Sequence, residues 1–235
     1  HPEFKALLEM VGPNGEFILD YTVYDALQAG FDNVVFIIKE ENLEIFKETV
    51  GNRIGSTCKT EYCFQRLDDM PEGYTVPEGR VKQWGTGHAV YAARKHITAP
   101  FGIVGADDFF GRDTIVTLGR FLKDECTDTN GCMVGFALRG TASENGSVSR
   151  GVCEVQNGRL MKVTERTDIA LKGDKAYFTD ESGNKAEIDA DSTVSMNVWG
   201  FAPLLMELMS GHFENWLSLN SGELKKEYYL PAFVD

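Results

Sequence analysis

Several things are missing from this sequence, and each absence narrows what the chain can be. No apolar run approaches the ~20 residues that a membrane-spanning helix needs, and no basic-then-apolar stretch reads as a leader. Cationic residues are scarce: 23 Lys and Arg face 36 Asp and Glu, a formal net charge of -13. A surface that tracks nucleic-acid phosphates needs clustered Lys and Arg, so the charge argues against nucleic acid as a partner. An acidic chain can still hold a nucleotide where metal, lysine and backbone amides neutralise phosphate locally. No Cys-x-x-Cys pair occurs among Cys58, Cys63, Cys126, Cys132 and Cys153, which argues against a zinc site. Thiols odd in number and mostly embedded in strand-like runs point to a reducing, cytoplasmic setting. No Ser/Pro-rich linker, internal repeat or low-complexity stretch divides the sequence, so a single domain is expected over residues 1–235. No Gly-x-Gly-x-x-Gly follows a strand, which disfavours a dinucleotide-binding oxidoreductase.

What is present is an ordinary globular composition, 43% hydrophobic and 25% charged, with alternating element patterns in the first half. Ile18 to Ala29 has helical spacing and stops at Gly30. Val34 to Ile38 is a wholly apolar run, the pattern of a strand buried on both faces. Leu43 to Val50 reads as helix, Thr60 to Gln65 as strand, Gly102 to Gly105 as a buried strand, Ile115 to Lys123 as helix and Cys132 to Leu138 as strand. This alternation predicts an α/β fold with a Rossmann-like, mostly parallel central sheet and a ligand crevice at the strands' carboxyl ends. From Ala142 the character changes to short strands at Gly151–Gln156, Leu160–Glu165, Ala176–Phe178 and Thr193–Phe201, separated by turn residues. They predict an antiparallel extension over the mouth of the sheet, followed by helices at Pro203–Ser210 and Glu223–Val234.

The most informative segment is Gln83-Trp84-Gly85-Thr86-Gly87-His88-Ala89, a glycine-bracketed loop running into an apolar helix from His88 to Ile97. Glycines let backbone approach a flat ligand because no Cβ intervenes, and the amides that open a helix are unpaired donors. Gln83 adds an amide that both donates to and accepts from a nucleobase edge. A plain tight connection between strand and helix is the alternative. A second feature is Asp107-Asp108, immediately after the strand ending at Gly105. Carboxylates at that end of a parallel sheet face the crevice, and magnesium prefers hard oxygens from one or two carboxylates, with phosphate and water completing its shell. Asp107 comes first off the strand and is the favoured ligand. A turn or capping role ahead of Asp113 is the alternative.

Five segments in order carry a family resemblance: Gln83 to Ala89, Val104 to Asp108, Gly151 to Val155 with Asn157-Gly158-Arg159, Val163 to Arg166, and Ser195 to Phe201. Together they resemble the sugar-1-phosphate nucleotidyltransferases. By its glycine loop the chain is most similar to the uridylyl-transferring members, such as the N-acetylglucosamine-1-phosphate uridylyltransferases. The resemblance implies that Gln83, Gly85, Thr86 and Gly87 hold the base, and that Asp107 binds catalytic Mg2+ between the acceptor phosphate and the NTP α-phosphate. It also implies that the Gly151 amide and the side chains of Glu165 and Asn197 hold the acceptor's hydroxyls. The implied partners are an NTP, uridine before thymidine, and a phosphorylated small-molecule acceptor. Residues 1–141 would form the nucleotide half and 142–235 the acceptor half. Oligomeric state stays open.

The family pattern also has a Gly-rich, Arg-ending loop and a lysine after the first strand, elements that grip the triphosphate. Here the strand-like Lys5 to Met10 joins Val11-Gly12-Pro13-Asn14-Gly15-Glu16 directly. The expectation is a loop between Met10 and Val11 that the numbering runs over. The C-terminus is also expected to stop short of the family's second metal-binding stretch. Two rivals remain. One is a cytidylyltransferase acting on phosphocholine or another small phosphorylated alcohol, with Trp84, Trp199 and Phe201 available for a choline cage. The other is a non-catalytic nucleotide-sugar sensor that has lost the loop.

Overall fold

The computed structural model describes residues 12–13, 15–142, 146–173, 175–180 and 182–234. The strand expected at 5–10 and the Met10–Val11 junction lie outside them.

Helix α1 (Ile18–Gln28) starts where Phe17 N–H donates to Asp20 Oδ2 at 2.7 Å, and Arg53 grips the same carboxylate. Its inner face, Leu19 and Val23, packs with Phe36, Phe46, Val50 and Ile54. Burying a side chain of that size contributes about 1.5–3 kcal/mol. Strand β1 (Asn33–Ile38) runs parallel to β2 (Lys59–Phe64), with Asn33 opposite Lys59, and a helical stretch through residues 40–55 makes the crossover. This is the βαβ unit that the alternation predicts.

The remaining strands form a seven-stranded sheet. They are β3 (Phe101–Ile103), β4 (Cys132–Ala137), β5 (Val148–Gln156), β6 (Arg159–Lys172), β7 (Lys175–Thr179), β8 (Lys185–Asp189) and β9 (Thr193–Phe201). The expectation of a mostly parallel sheet is met, among the described strands, only at β1–β2; every described pair in the larger sheet is antiparallel. The reason is β9. Strands β3 and β4 do point the same way, joined across the crossover helix α4 (Arg112–Asp124), but β9 returns between them and pairs antiparallel with both. Hydrophobic periodicity carries no information about strand direction.

Helix α3 (Thr86–Ala92, with α2 the 40–55 stretch) continues for one 3-10 turn to Lys95 rather than to Ile97. Helix α5 (Leu204–Asn220) and the short α6 (Leu230–Val234) complete the chain. The core nearest the site joins Trp84, Trp199, Met209, Phe213, Leu217, Tyr228 and Leu230. Five cysteines are all free, and among the described residues no helix is long and apolar enough to cross a membrane.

Candidate active site

A gap in the large sheet makes the site. Along one edge β9 pairs with β4, with a register break between Met133 and Gly135, while its other edge pairs first with β5 (Gly151 opposite Ser195) and then with β3 (Ile103 opposite Trp199). Between those two partners β9 turns out of its ladder: Asn197 has φ 58°, the left-handed region that asparagine enters more readily than most non-glycine residues. Ser195, buried itself, holds it there by accepting the Asn197 N–H on Oγ at 3.1 Å. The carboxyl end of β3 leads through Gly105 to the acid pair at the same gap.

The result is a small cavity, open to solvent, whose lining includes Asp108, Gly151, Glu165 and Asn197. Three of these, Gly151, Glu165 and Asn197, are residues for which the resemblance implies contact with the acceptor. Gly151 is needed where it stands. A Cβ there would sit 2.7 Å from Val163 Cγ1 and 3.6 Å from Glu165 Oε2, filling the floor of the cavity. Burial pushes the Glu165 carboxyl up from its usual range, and the Arg150 charge opposes that shift. Ser149, Arg150 and Pro231 line the same space, and sequence reasoning had singled out none of them.

The acid pair divides between two environments. Asp107 is exposed and Asp108 is half-buried, and it is Asp108 that lines the cavity. Burial first, then the neighbouring Asp107 charge, raises the Asp108 pKa, with Arg150 opposing. Adjacent carboxylates that repel each other are a hard-oxygen donor set suited to a divalent cation. Among the described residues no group of three or more His, Cys, Asp or Glu could hold a metal ion. Two carboxylate side chains are donors of the kind magnesium takes where phosphate and water complete its shell.

The glycine loop is engaged by the chain's own C-terminal segment. Gly85 has φ 104°, and a Cβ on it would stand 2.6 Å from the Tyr228 carbonyl oxygen. Gly87 N–H donates to Tyr228 O at 2.9 Å, Tyr228 N–H to Trp84 O at 2.5 Å, and Leu230 N–H to Thr86 Oγ1 at 3.1 Å. Residues 223–229, expected as helix, instead form an irregular strap. Buried Arg80 stacks on Trp84 at 3.5 Å and donates to the carbonyls of Glu223 and Lys226, contacts that replace helical hydrogen bonding. Nothing local in the sequence signals that pairing. What the loop keeps free is the hydroxyl hydrogen of Thr86, which is exposed, and the side-chain amide of Gln83, whose buried Oε1 has no partner among the described residues.

His88 is fully buried as a neutral imidazole: Nε2 donates to the Asp69 carbonyl at 2.8 Å, and Nδ1 accepts from Gln65, whose amide also reaches Gly85 O. Burial pushes its pKa down, and its part is to brace the loop. Trp84, Trp199 and Phe201 are core residues at 0%, 1% and 8% exposure, so none of them can cage a choline. Tyr229 on the strap lies near the cavity instead; burial and hydrogen bonding to Glu227, with the nearby Glu165 charge, push its hydroxyl up to about 12.

Comparison with known proteins gives three findings. A family model described as nucleotidyl transferase matches residues 5–170. No curated protein matches the sequence. Among solved structures, the chain is similar to a protein provisionally described as a glucose-1-phosphate thymidylyltransferase from Bacillus anthracis, solved in complex with a sucrose. The TM-score is 0.54 at 10% identity, over 95% of this chain and 78% of that one. HddC from Yersinia pseudotuberculosis gives a TM-score of 0.48 at 12% identity, over 94% and 79%.

Proposed function

Because the chain belongs to the nucleotidyl transferase family, and is accordingly a transferase, we propose that it condenses an NTP with a sugar 1-phosphate to give an NDP-sugar and pyrophosphate. The observation that carries this reading is the single cavity that gathers Asp108, Gly151, Glu165 and Asn197 where β9 changes partners. Those residues come from segments far apart in sequence, and they suit a polyhydroxylated acceptor beside an acidic metal-binding edge.

In this reading the acceptor's phosphate oxygen attacks the α-phosphorus in line, the bond from that phosphorus to the bridging oxygen breaks, and pyrophosphate leaves. A sugar phosphate is already an anionic nucleophile, so no general base is required, and the protein's task is positioning. The Glu165 carboxylate accepts hydrogen bonds from sugar hydroxyls, charge-assisted and about twice as strong as neutral ones. Asn197 and the Gly151 amide fix the ring's orientation. Asp107, with Asp108 beside it, would hold magnesium, which when bound offsets the repulsion between the two phosphate groups. Gln83 and Thr86 offer the base a side-chain amide and a hydroxyl, while Gly85 and Gly87 shape the loop against the strap. Uridine is the favoured base and thymidine the second. The same reading treats residues 1–141 as a Rossmann-like nucleotide half and 142–235 as an antiparallel acceptor half, in a cytoplasmic protein.

The test is pyrophosphate release from a panel of NTPs against glucose 1-phosphate, N-acetylglucosamine 1-phosphate and phosphocholine, with Mg2+. Release that needs both an NTP and a sugar 1-phosphate is expected. Release with phosphocholine alone among the acceptors would overturn the sugar assignment, and none with any pair would favour a sensor.

A further inference from the structure

The acceptor cavity presents two carboxylates, Asp108 and Glu165, although the molecule proposed to enter it is an anion. Among the described residues lining it, Arg150 is the one cation. Its guanidinium is fixed by its own surroundings: Nε donates to Thr141 Oγ1 at 3.3 Å, Nη2 to Thr141 O at 2.7 Å and Nη1 to Ser149 O at 2.9 Å. A guanidinium carries five N–H donors, so these contacts leave one hydrogen on each Nη. Two such donors in one plane match two oxygens of a phosphoryl group, and little side-chain freedom remains to be lost on binding.

The neighbouring cation is engaged elsewhere. Arg166 stands directly opposite Arg150 in the β5–β6 ladder, yet its guanidinium lies over the Phe178 ring at 4.6 Å, on the apolar cluster formed with β7 and β8. Thus of the two cross-strand arginines only Arg150 lines the cavity.

We propose that Arg150 holds the phosphoryl oxygens of the acceptor and thereby selects a phosphorylated sugar over its uncharged parent. This assignment rests on the transfer reading above.

The test is steady-state kinetics of the full chain with UTP and N-acetylglucosamine 1-phosphate, or whichever pair the panel shows to be productive. Wild type is compared with Arg150→Gln, Arg150→Lys and Arg166→Gln. Arg150→Gln is expected to raise the acceptor KM about 10- to 100-fold, the effect of losing a charged hydrogen-bond pair, with the UTP KM within about twofold of wild type. Arg150→Lys, which keeps the charge without the fork, falls between, and Arg166→Gln leaves the acceptor KM unchanged. If Arg150→Gln does not fold, Arg150→Lys is decisive: a raised acceptor KM supports the proposal and an unaltered one overturns it. Wild-type turnover with unchanged acceptor KM in both Arg150 variants overturns the Arg150 assignment alone. No pyrophosphate from wild type with any pair overturns the transfer reading and this assignment with it.

Discussion

Leu230 donates its backbone N–H to Thr86 Oγ1 at 3.1 Å, and the next residue, Pro231, lines the cavity that also holds Asp108. One short stretch of chain therefore touches both the glycine loop and the acidic cavity. The geometric relation between the proposed base site and the proposed acceptor site is set by that strap, which is anchored by Tyr228 and Leu230 at 0% and 1% exposure.

Gly85→Ala tests the strap's seat on the loop. The left-handed φ and the 2.6 Å approach of Tyr228 O leave no room for a Cβ, and the obstacle is backbone, not a flexible side chain. Strain of this kind costs on the order of 1–3 kcal/mol, so thermal melting should show a fall of about 3–10 °C. An unchanged melting temperature would mean that the strap yields freely.

Thr86→Val removes the acceptor of the Leu230 amide while keeping the shape of the side chain. A lost hydrogen bond of this type costs about 0.5–1.5 kcal/mol. Calorimetry should also show weaker NTP binding, because the same hydroxyl is proposed to meet the base. A lower melting temperature with an unchanged dissociation constant would confine Thr86 to a structural part.

Asp107→Asn separates the acid pair. Its exposed carboxylate makes no described contact that the fold relies on, so melting should stay within about 2 °C of wild type, the shift of a change below roughly 1 kcal/mol. Pyrophosphate release should fall by about 100-fold or more, as expected when a metal-binding carboxylate is lost. Chelation should stop the wild-type reaction and added Mg2+ restore it. Full turnover by the variant would remove Asp107 from the metal site.

Much of this was legible in the sequence, for physical reasons that differ by element. Helices α1 and α4 and strands β1 and β2 follow from periodicity and from the residues that end them. The gathering of Gly151, Glu165 and Asn197 follows from motif order, although the motif does not reveal why Asn197 points where it does. That depends on β9 changing partners and on Ser195 catching the next-but-one amide. Helix α5 runs to Asn220, past Ser210 and Gly211, because Met206, Met209, Phe213 and Leu217 form one buried stripe that outweighs the weak local propensity. Strand β8 is not legible locally because Lys185, Glu187 and Asp189 give it the pattern of a charged loop, whereas Ala186 and Ile188 face the apolar cluster of the β6–β8 arm. Local pattern reads the strap as helix because its partners Arg80 and Trp84 lie about 140 residues away in sequence.

The pH dependence follows from Glu165. Its carboxyl is raised above the ordinary value of 4.5 by burial, so the folded state keeps the proton longer than the unfolded chain. Stability from this group is complete below the ordinary value and is lost as pH rises through the raised one. Glu165→Gln should flatten that part of the profile and raise the melting temperature at pH 7 relative to wild type. A lower melting temperature at pH 7 would show that the carboxylate is favoured in the fold.

The most direct measurement is the KM for a sugar 1-phosphate, read beside the KM for the NTP, in wild type, Glu165→Gln and Asn197→Ala. If the gap beside β9 is the acceptor site, both variants raise the acceptor KM by about tenfold or more while the NTP KM stays within about twofold. Wild-type values for both substrates in both variants would contradict it.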